Sequence, residues 1–278
     1  MRLALVGFGL IGGSVALAAR GRALASHVVG VDRADVVDLP EARRAADELV
    51  DAADLPRVRG ALGDADLVVV ATPVGAIEAS IGAILDASRT VTDCGSTKRA
   101  IVASARTSPK RGRFVPGHPM AGLPEGGIRR ARADLFEGRP WLLCAEHSDP
   151  DATELVERLV RGVGAEPVRL TAEEHDRAVA LTSHVPQVLA SALAVLAESR
   201  HAGVAAGPGF ESATRVAGGG EAMWRDILAS NADEISVTLD ALGDELSLVA
   251  RGLKRTPPDL GPALRLLERA RALRLPKG

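Results

Sequence analysis

The feature that most constrains this chain is Gly7-Phe8-Gly9-Leu10-Ile11-Gly12, set between an apolar run, Arg2 to Gly7, and a stretch of small, helix-compatible residues, Leu10 to Arg20. In a G-x-G-x-x-G turn the first glycine permits a tight turn and the second lets a pyrophosphate approach the backbone. The third lets helix and strand pack closely. The helix start then offers free N–H groups and a partial positive charge to phosphate. Alone the motif is weak. Here Asp32 follows Gly12 by 20 residues, at the end of a second apolar run, His27 to Asp32. At that interval a carboxylate meets the ribose hydroxyls of a dinucleotide. Gly7, Gly9, Leu10, Ile11, Gly12 and Asp32 are therefore expected to hold the cofactor, joined by Thr72 and Pro73 at the end of a third run, Asp66 to Ala71. Asp32 favours NAD over NADP because it repels a 2′-phosphate, although Arg33 beside it is a residue type that accommodates one. An S-adenosylmethionine site, which also uses a Gly-rich turn and a strand-end acid, is the main competitor. The apolar start also resembles a secretory signal, but the glycine spacing favours strand, turn and helix.

Further apolar runs follow at Thr90–Asp93, Phe114–Pro119, Trp141–Ala145 and Pro167–Leu170, alternating with helical stretches. The pattern predicts an α/β class: a Rossmann-type, mainly parallel sheet over residues 1–170. From residue 171 to 278 only helical periodicity remains, which predicts an all-helical second domain. In it Ile235, Leu239, Leu242, Leu246, Val249 and Leu253 alternate steps of four and three, a coiled-coil-like seam. Such a seam wants a partner helix, from this chain or from a second subunit.

A net charge of −2 gives no global field for nucleic acid or an anionic membrane. With four Phe, two Trp and no Tyr, stacking platforms for single strands are scarce. No apolar run is long and continuous enough to predict a membrane span. Cys94 and Cys144 lie at no metal-ligand spacing, so no metal is expected. They suit a reducing, cytoplasmic compartment. The expected ligand is a small molecule.

Two later segments lie at the carboxyl ends of predicted strands, the edge where open parallel sheets bind ligands. One is Thr92-Asp93-Cys94-Gly95-Ser96-Thr97-Lys98 and the other Gly117-His118-Pro119-Met120-Ala121-Gly122. They bring Ser96 and His118 toward the expected nicotinamide. A histidine near its free pKa can take a proton from an alcohol while hydride leaves the same carbon; a strand-capping histidine is the bland alternative. Arg215, alone among small and apolar neighbours, has the chemistry to grip a carboxylate bidentately or to bind carbonyls at a helix end.

Together, G-x-G-L-I-G-G-S, Ala71 to Val74, T-D-x-G-S-x-K, G-H-P-M-A-G, His175-Asp176, Ser183-His184-Val185-Pro186, T-R-V-A and M-W-x-D-I resemble the prephenate/arogenate dehydrogenase family, in its order from about Gly7 to Asn231. The resemblance implies oxidation of prephenate or a close relative, with loss of CO₂, to an aromatic product of tyrosine biosynthesis. It also implies a dimerising C-terminal domain and hence a homodimer. Under it His118 is the acceptor or base for the 4-hydroxyl, and Ser96 orients that hydroxyl and the nicotinamide. Arg215 binds a substrate carboxylate, His184 lines the pocket, and Trp224 reaches the pocket or an interface or packs in the core. His175 with Asp176, at a helix start, reads as a structural capping pair. One departure bears on substrate: many prephenate-specific members carry a second histidine where this chain has Gln187. That opens arogenate, or a 4-amino analogue of secondary metabolism, as the substrate. Another two-domain β-hydroxyacid dehydrogenase is the enzymatic alternative, but such enzymes place a catalytic Lys on a helix of the second domain. From residue 171 the only lysines are Lys254 and Lys277. A silent NAD-sensing regulator is the non-enzymatic alternative, and it would not need Ser96, His118 and Arg215 together.

Overall fold

The computed structural model describes residues 1–123 and 125–274. Its first part alternates strand and helix: β1 (Arg2–Val6), α1 (Leu10–Gly21), β2 (His27–Asp32), α2 (Ala34–Val37), α3 (Pro40–Ala45), β3 (Glu48–Asp51), α4 (Leu55–Asp64), β4 (Leu67–Val70), α5 (Val74–Ala87), β5 (Val91–Asp93), α6 (Arg99–Ala105) and β6 (Phe114–Val115). These six strands form one sheet in the order β3-β2-β1-β4-β5-β6, and every pair is parallel. A parallel sheet is covered on both faces, so its central strands must be apolar throughout. Accordingly Leu3, Ala4 and Leu5 of β1 and all of Leu67–Val70 are excluded from solvent. The strand order reverses between β1 and β4, so a crevice opens at their carboxyl ends, where Gly7 and Thr72 stand.

Gly7 shows why that turn needs glycine. Its φ is +91°, and a Cβ there would sit 2.6 Å from the Ala71 carbonyl carbon and 2.8 Å from the Thr72 nitrogen. A Cβ at Gly12 would meet the Gly7 oxygen at 2.0 Å. Around Gly9, the residue capping α1, there is open space within 4 Å.

A second, three-stranded sheet comprises β7 (Gly117–Pro119), β8 (Pro140–Leu143) and β9 (Glu166–Arg169), with α7 (Pro150–Gly162) between the last two. β7 runs antiparallel to β8, and β8 parallel to β9. The single run expected over Phe114–Pro119 thus divides at Pro116. Proline lacks an N–H for a ladder, and here its carbonyl accepts from Cys144 N–H at 2.9 Å. β3, too short and polar to stand out in the sequence, was not anticipated.

Beyond β9 the described elements are all helical, beginning with α8 (Ala172–Val179), a π turn (Ala180–His184), α9 (Val185–Ser199), a 3₁₀ turn (Ala202–Ala205), α10 (Pro208–Thr214), a second 3₁₀ turn (Arg215–Gly218) and α11 (Glu221–Ser230). Thr171 and Glu174 start α8 with a reciprocal capping box. The helical run Ala172–Ser199 reaches a mean hydropathy of 1.6 over its most apolar stretch, enough by length and composition to cross a membrane. Met1–Asn231 forms one compact unit. A second unit starts at Ala232 and contains α12 (Ala232–Leu253) and α13 (Gly261–Arg274). On α12 the predicted seam keeps Leu246 and Leu253 half exposed.

Replacing Gly7 by Ala combines a strained φ with backbone collisions, and should cost about 1–3 kcal/mol or more. Urea denaturation checks this; an unchanged midpoint would show that the turn has another route.

Candidate active site

Beside the carboxyl end of β5, a chain of hydrogen bonds links residues far apart in sequence. His118 Nδ1 lies 2.9 Å from His175 Nε2. His175 Nδ1 lies 2.8 Å from Asp176 Oδ1. Asp176 is fully buried, and a buried carboxylate must be met by donors. Its Oδ1 also accepts from Lys98 N–H at 2.7 Å, and its Oδ2 from Arg99 N–H at 3.0 Å and Arg99 Nε at 3.1 Å. Burial pushes the Asp176 pKa up, but the hydrogen bonds from His175, Arg99 and Lys98 outweigh it and hold the carboxyl below its ordinary value.

This fixes the tautomers by elimination. A carboxylate only accepts, so His175 Nδ1 carries a proton and gives it to Asp176. His175 Nε2 is then an acceptor, and His118 Nδ1–H donates to it. The lone pair of His118 therefore resides on Nε2. Burial, aided by the charges of His175, Lys98 and His184, lowers the His118 pKa well below 6.5. Burial lowers His175 too, partly offset by the bond to Asp176. The pair is neutral at pH 7, with one free imidazole nitrogen ready to accept a proton.

The network continues into the helices. Asn231 Nδ2 donates to the Asp176 carbonyl at 2.8 Å and approaches His184 Nδ1 at 3.3 Å, while Asn231 Oδ1 accepts from Arg99 at 2.8 Å. His184 is buried, and burial lowers its pKa to about 4. Its ring meets Trp224 edge-on, with centroids 6.0 Å apart. The indole Nε1 of Trp224 is buried and has no hydrogen-bond partner among the described residues. A side chain at Gly219 would strike that nitrogen at 2.1 Å and come within 3.3 Å of Gln187 Nε2. Gln187, Trp224 and Gly219 therefore adjoin one another.

Ser96 stands half-buried in the loop between β5 and α6, and its hydroxyl bonds to nothing among the described residues. Arg215 starts the 3₁₀ turn that packs against α9, the helix bearing Gln187. Its side chain is exposed and makes no ion pair among the described residues; no bond joins it to the histidine chain. In the cofactor crevice Gly9, Leu10 and Ile11 form the start of α1 and Pro73 caps α5. Asp32 accepts from Phe8 N–H at 2.6 Å and from Arg33 N–H at 2.7 Å, which pins the acid beside the glycine turn. Arg33 itself pairs with Asp35 at 3.3 Å on the surface.

Sequence reasoning took His175-Asp176 as a cap. The structure corrects this: Thr171 and Glu174 do the capping, and His175-Asp176 orients His118. Among the other charged residues of α8 the pair does not stand out, and its partner is 57 positions away.

Comparison with known proteins accords with this geometry. The family model for the prephenate dehydrogenase nucleotide-binding domain matches residues 15–169. That for the prephenate dehydrogenase dimerization domain matches residues 171–260. The chain is 34% identical over 245 residues to prephenate dehydrogenase of Bacillus subtilis, covering 83% of this chain and 64% of that protein. It thus spans somewhat less than two thirds of that relative's length. A crystal structure of a provisionally named prephenate dehydrogenase from Corynebacterium glutamicum superposes with a TM-score of 0.88 at 26% identity, covering 98% of this chain and 88% of the other. Arogenate dehydrogenase of Synechocystis superposes with a TM-score of 0.78 at 26% identity, covering 99% and 100%. With a nucleotide crevice, a histidine site at its edge and both domain models matched in succession, the chain belongs to the prephenate dehydrogenase family.

Proposed function

We propose that the protein is an NAD-dependent oxidoreductase of tyrosine biosynthesis, acting in the cytoplasm as a homodimer, that converts prephenate or arogenate to an aromatic product with loss of CO₂. The observation that carries this reading is the His118–His175–Asp176 chain, which leaves one basic nitrogen beside a nucleotide crevice. The crevice suits a dinucleotide: the open space at Gly9 leaves room for a pyrophosphate against the α1 N-terminus, and Asp32 suits ribose hydroxyls. When bound there, NAD supplies the hydride acceptor. His118 Nε2 takes the proton of the substrate's 4-hydroxyl as the carbonyl forms, and Ser96 orients that hydroxyl. Asp176, through His175, stabilises the imidazolium without itself taking the proton. Loss of the ring carboxylate then restores aromaticity, so the protein need only align the groups and accept one proton.

In this reading Arg215 binds a substrate carboxylate, and His184, Gln187 and Trp224 face its side chain. Where an imidazolium would repel an ammonium group, the neutral amide of Gln187 offers an oxygen that can accept from one beside the substrate's side-chain carboxylate. Arogenate is therefore the preferred substrate. Homodimerisation is supported by the match to a dimerization domain and by the half-exposed leucines on α12. We place the division between the two domains at residues 170/171, where the two matched regions meet.

NADH absorbance should rise with arogenate, and more weakly with prephenate, with CO₂ released. Tight NAD binding with no NADH from either substrate would remove the proposal. His118→Asn should lower kcat about 10²–10⁴-fold with NAD affinity kept. His175→Asn should also lower kcat, at least about tenfold, by releasing the tautomer; an unchanged rate would disconnect the chain from catalysis. Because the His118 pKa lies below 6.5, kcat should be flat above that pH and fall only as acid protonates Nε2; a limb centred above pH 7 would contradict the assignment. Gln187→His should raise kcat/KM for prephenate relative to arogenate, and an unmoved ratio would take residue 187 out of specificity.

A further inference from the structure

Lys98 and Asp93, the two charged residues of the T-D-x-G-S-x-K segment, form an ion pair from which solvent is completely excluded. Burying two charges is costly and needs close pairing with further hydrogen bonds. One of those further bonds reaches back to Gly95, whose N–H donates to Asp93 Oδ2 at 2.8 Å, and two hold Gly117. Asp93 Oδ1 accepts from Gly117 N–H at 3.0 Å, and Lys98 Nζ donates to the Gly117 carbonyl at 2.8 Å. Both backbone groups of the residue preceding His118 are thus gripped by the pair. The gap around its Cα is closed as well: a Cβ there would lie 2.8 Å from Asp93 O, 2.8 Å from Trp141 Nε1 and 3.0 Å from Thr92 Oγ1. Gly117 and His118 belong to the three-stranded sheet, whereas Asp93 ends a strand of the six-stranded one. The pair is where the two sheets are locked in register.

Lys98 also reaches the far end of the histidine chain, since its backbone N–H donates to Asp176 Oδ1. One residue therefore holds Gly117, next to His118, by its side chain and Asp176 by its main chain. A compact ammonium suits this closed space, where the wider guanidinium fork would not fit, and most of the chain's other cations are arginines.

We propose that the Lys98–Asp93 pair is a positioning device for His118, setting the height of its imidazole against the nicotinamide crevice. This rests on the base role argued for His118. The titratable and charged groups that act on that imidazole are His175 on α8, Lys98 at the start of α6 and His184 on the π turn. Among them Lys98 is a cation that helps keep the imidazole unprotonated.

The test compares Lys98→Met and the charge-free double variant Lys98→Met/Asp93→Asn with the wild type and His118→Asn, using full-length protein, NAD and arogenate or prephenate. If the pair positions the base, kcat falls about 10–100-fold, as expected for sub-ångström to ångström misplacement. KM and the NAD Kd should stay within about threefold, a small change against that effect. In Lys98→Met the acid limb of kcat moves to higher pH, because a positive charge beside His118 has gone; in the double variant, which also removes the opposite charge of Asp93, it moves less. A merely structural role would lower thermal stability and NAD affinity while leaving kcat of the folded protein within about threefold of wild type, and this outcome overturns the proposal. Full kcat with a superimposable pH profile overturns it too, as does failure of both variants to fold, which would assign the pair to folding. Wild-type inactivity on both substrates, by contrast, would strike the proposed function itself.

Discussion

A carboxylate that water cannot reach organises this protein's site. Asp176 is fully buried, and a charge so placed persists only if donors surround it. The donors come from two directions: Lys98 and Arg99 from the start of α6, and His175 from its own helix. Satisfying one buried anion thereby ties the first helix after the second sheet to the edge of the first sheet. The same requirement polarises two imidazoles in sequence and decides which nitrogen of the outer one is basic. Fold and chemistry meet in a single electrostatic need.

How much of this was legible beforehand follows from the range of each interaction. The glycine turn and Asp32 were readable because their logic is local: strand, turn, helix and an acid at a fixed interval. The strand-end placement of Ser96 and His118 was readable from the alternation of elements. The His118–His175 contact was not, because nothing in either neighbourhood announces a partner 57 residues away. The pair at the start of α8 instead imitated a cap, while the true cap at Thr171 and Glu174 lay just before and within it. Lys98 was visible as part of a motif, but its burial was not, since a lysine in a loop is ordinarily solvated. The break at Pro116, which sends β6 and β7 into different sheets, was hidden inside what looks like one apolar run.

The groups around Trp224 differ in character from the histidine chain. His184 and Trp224 pack edge to face, and Gln187 lies by the same glycine that the indole covers. These groups are neutral: burial takes His184 to a pKa of about 4. Arg215, by contrast, carries its charge exposed on a short turn packed against α9. In the proposed function a dry centre transfers the proton and an open guanidinium captures the substrate. The arrangement accords with a ligand that enters as an anion and reacts where water is scarce.

The π turn between α8 and α9 has a further consequence. His175 and His184 are nine positions apart, and at about 100° per residue a regular α-helix would set them on roughly opposite sides. A π turn behaves as one residue inserted into the spiral. Discounting that residue leaves eight steps, which return His184 toward the side of His175, where Asn231 reaches both His184 and the Asp176 carbonyl. A regular helix through the same residues would turn the two rings apart; the irregularity is what lets two imidazoles look into the same room.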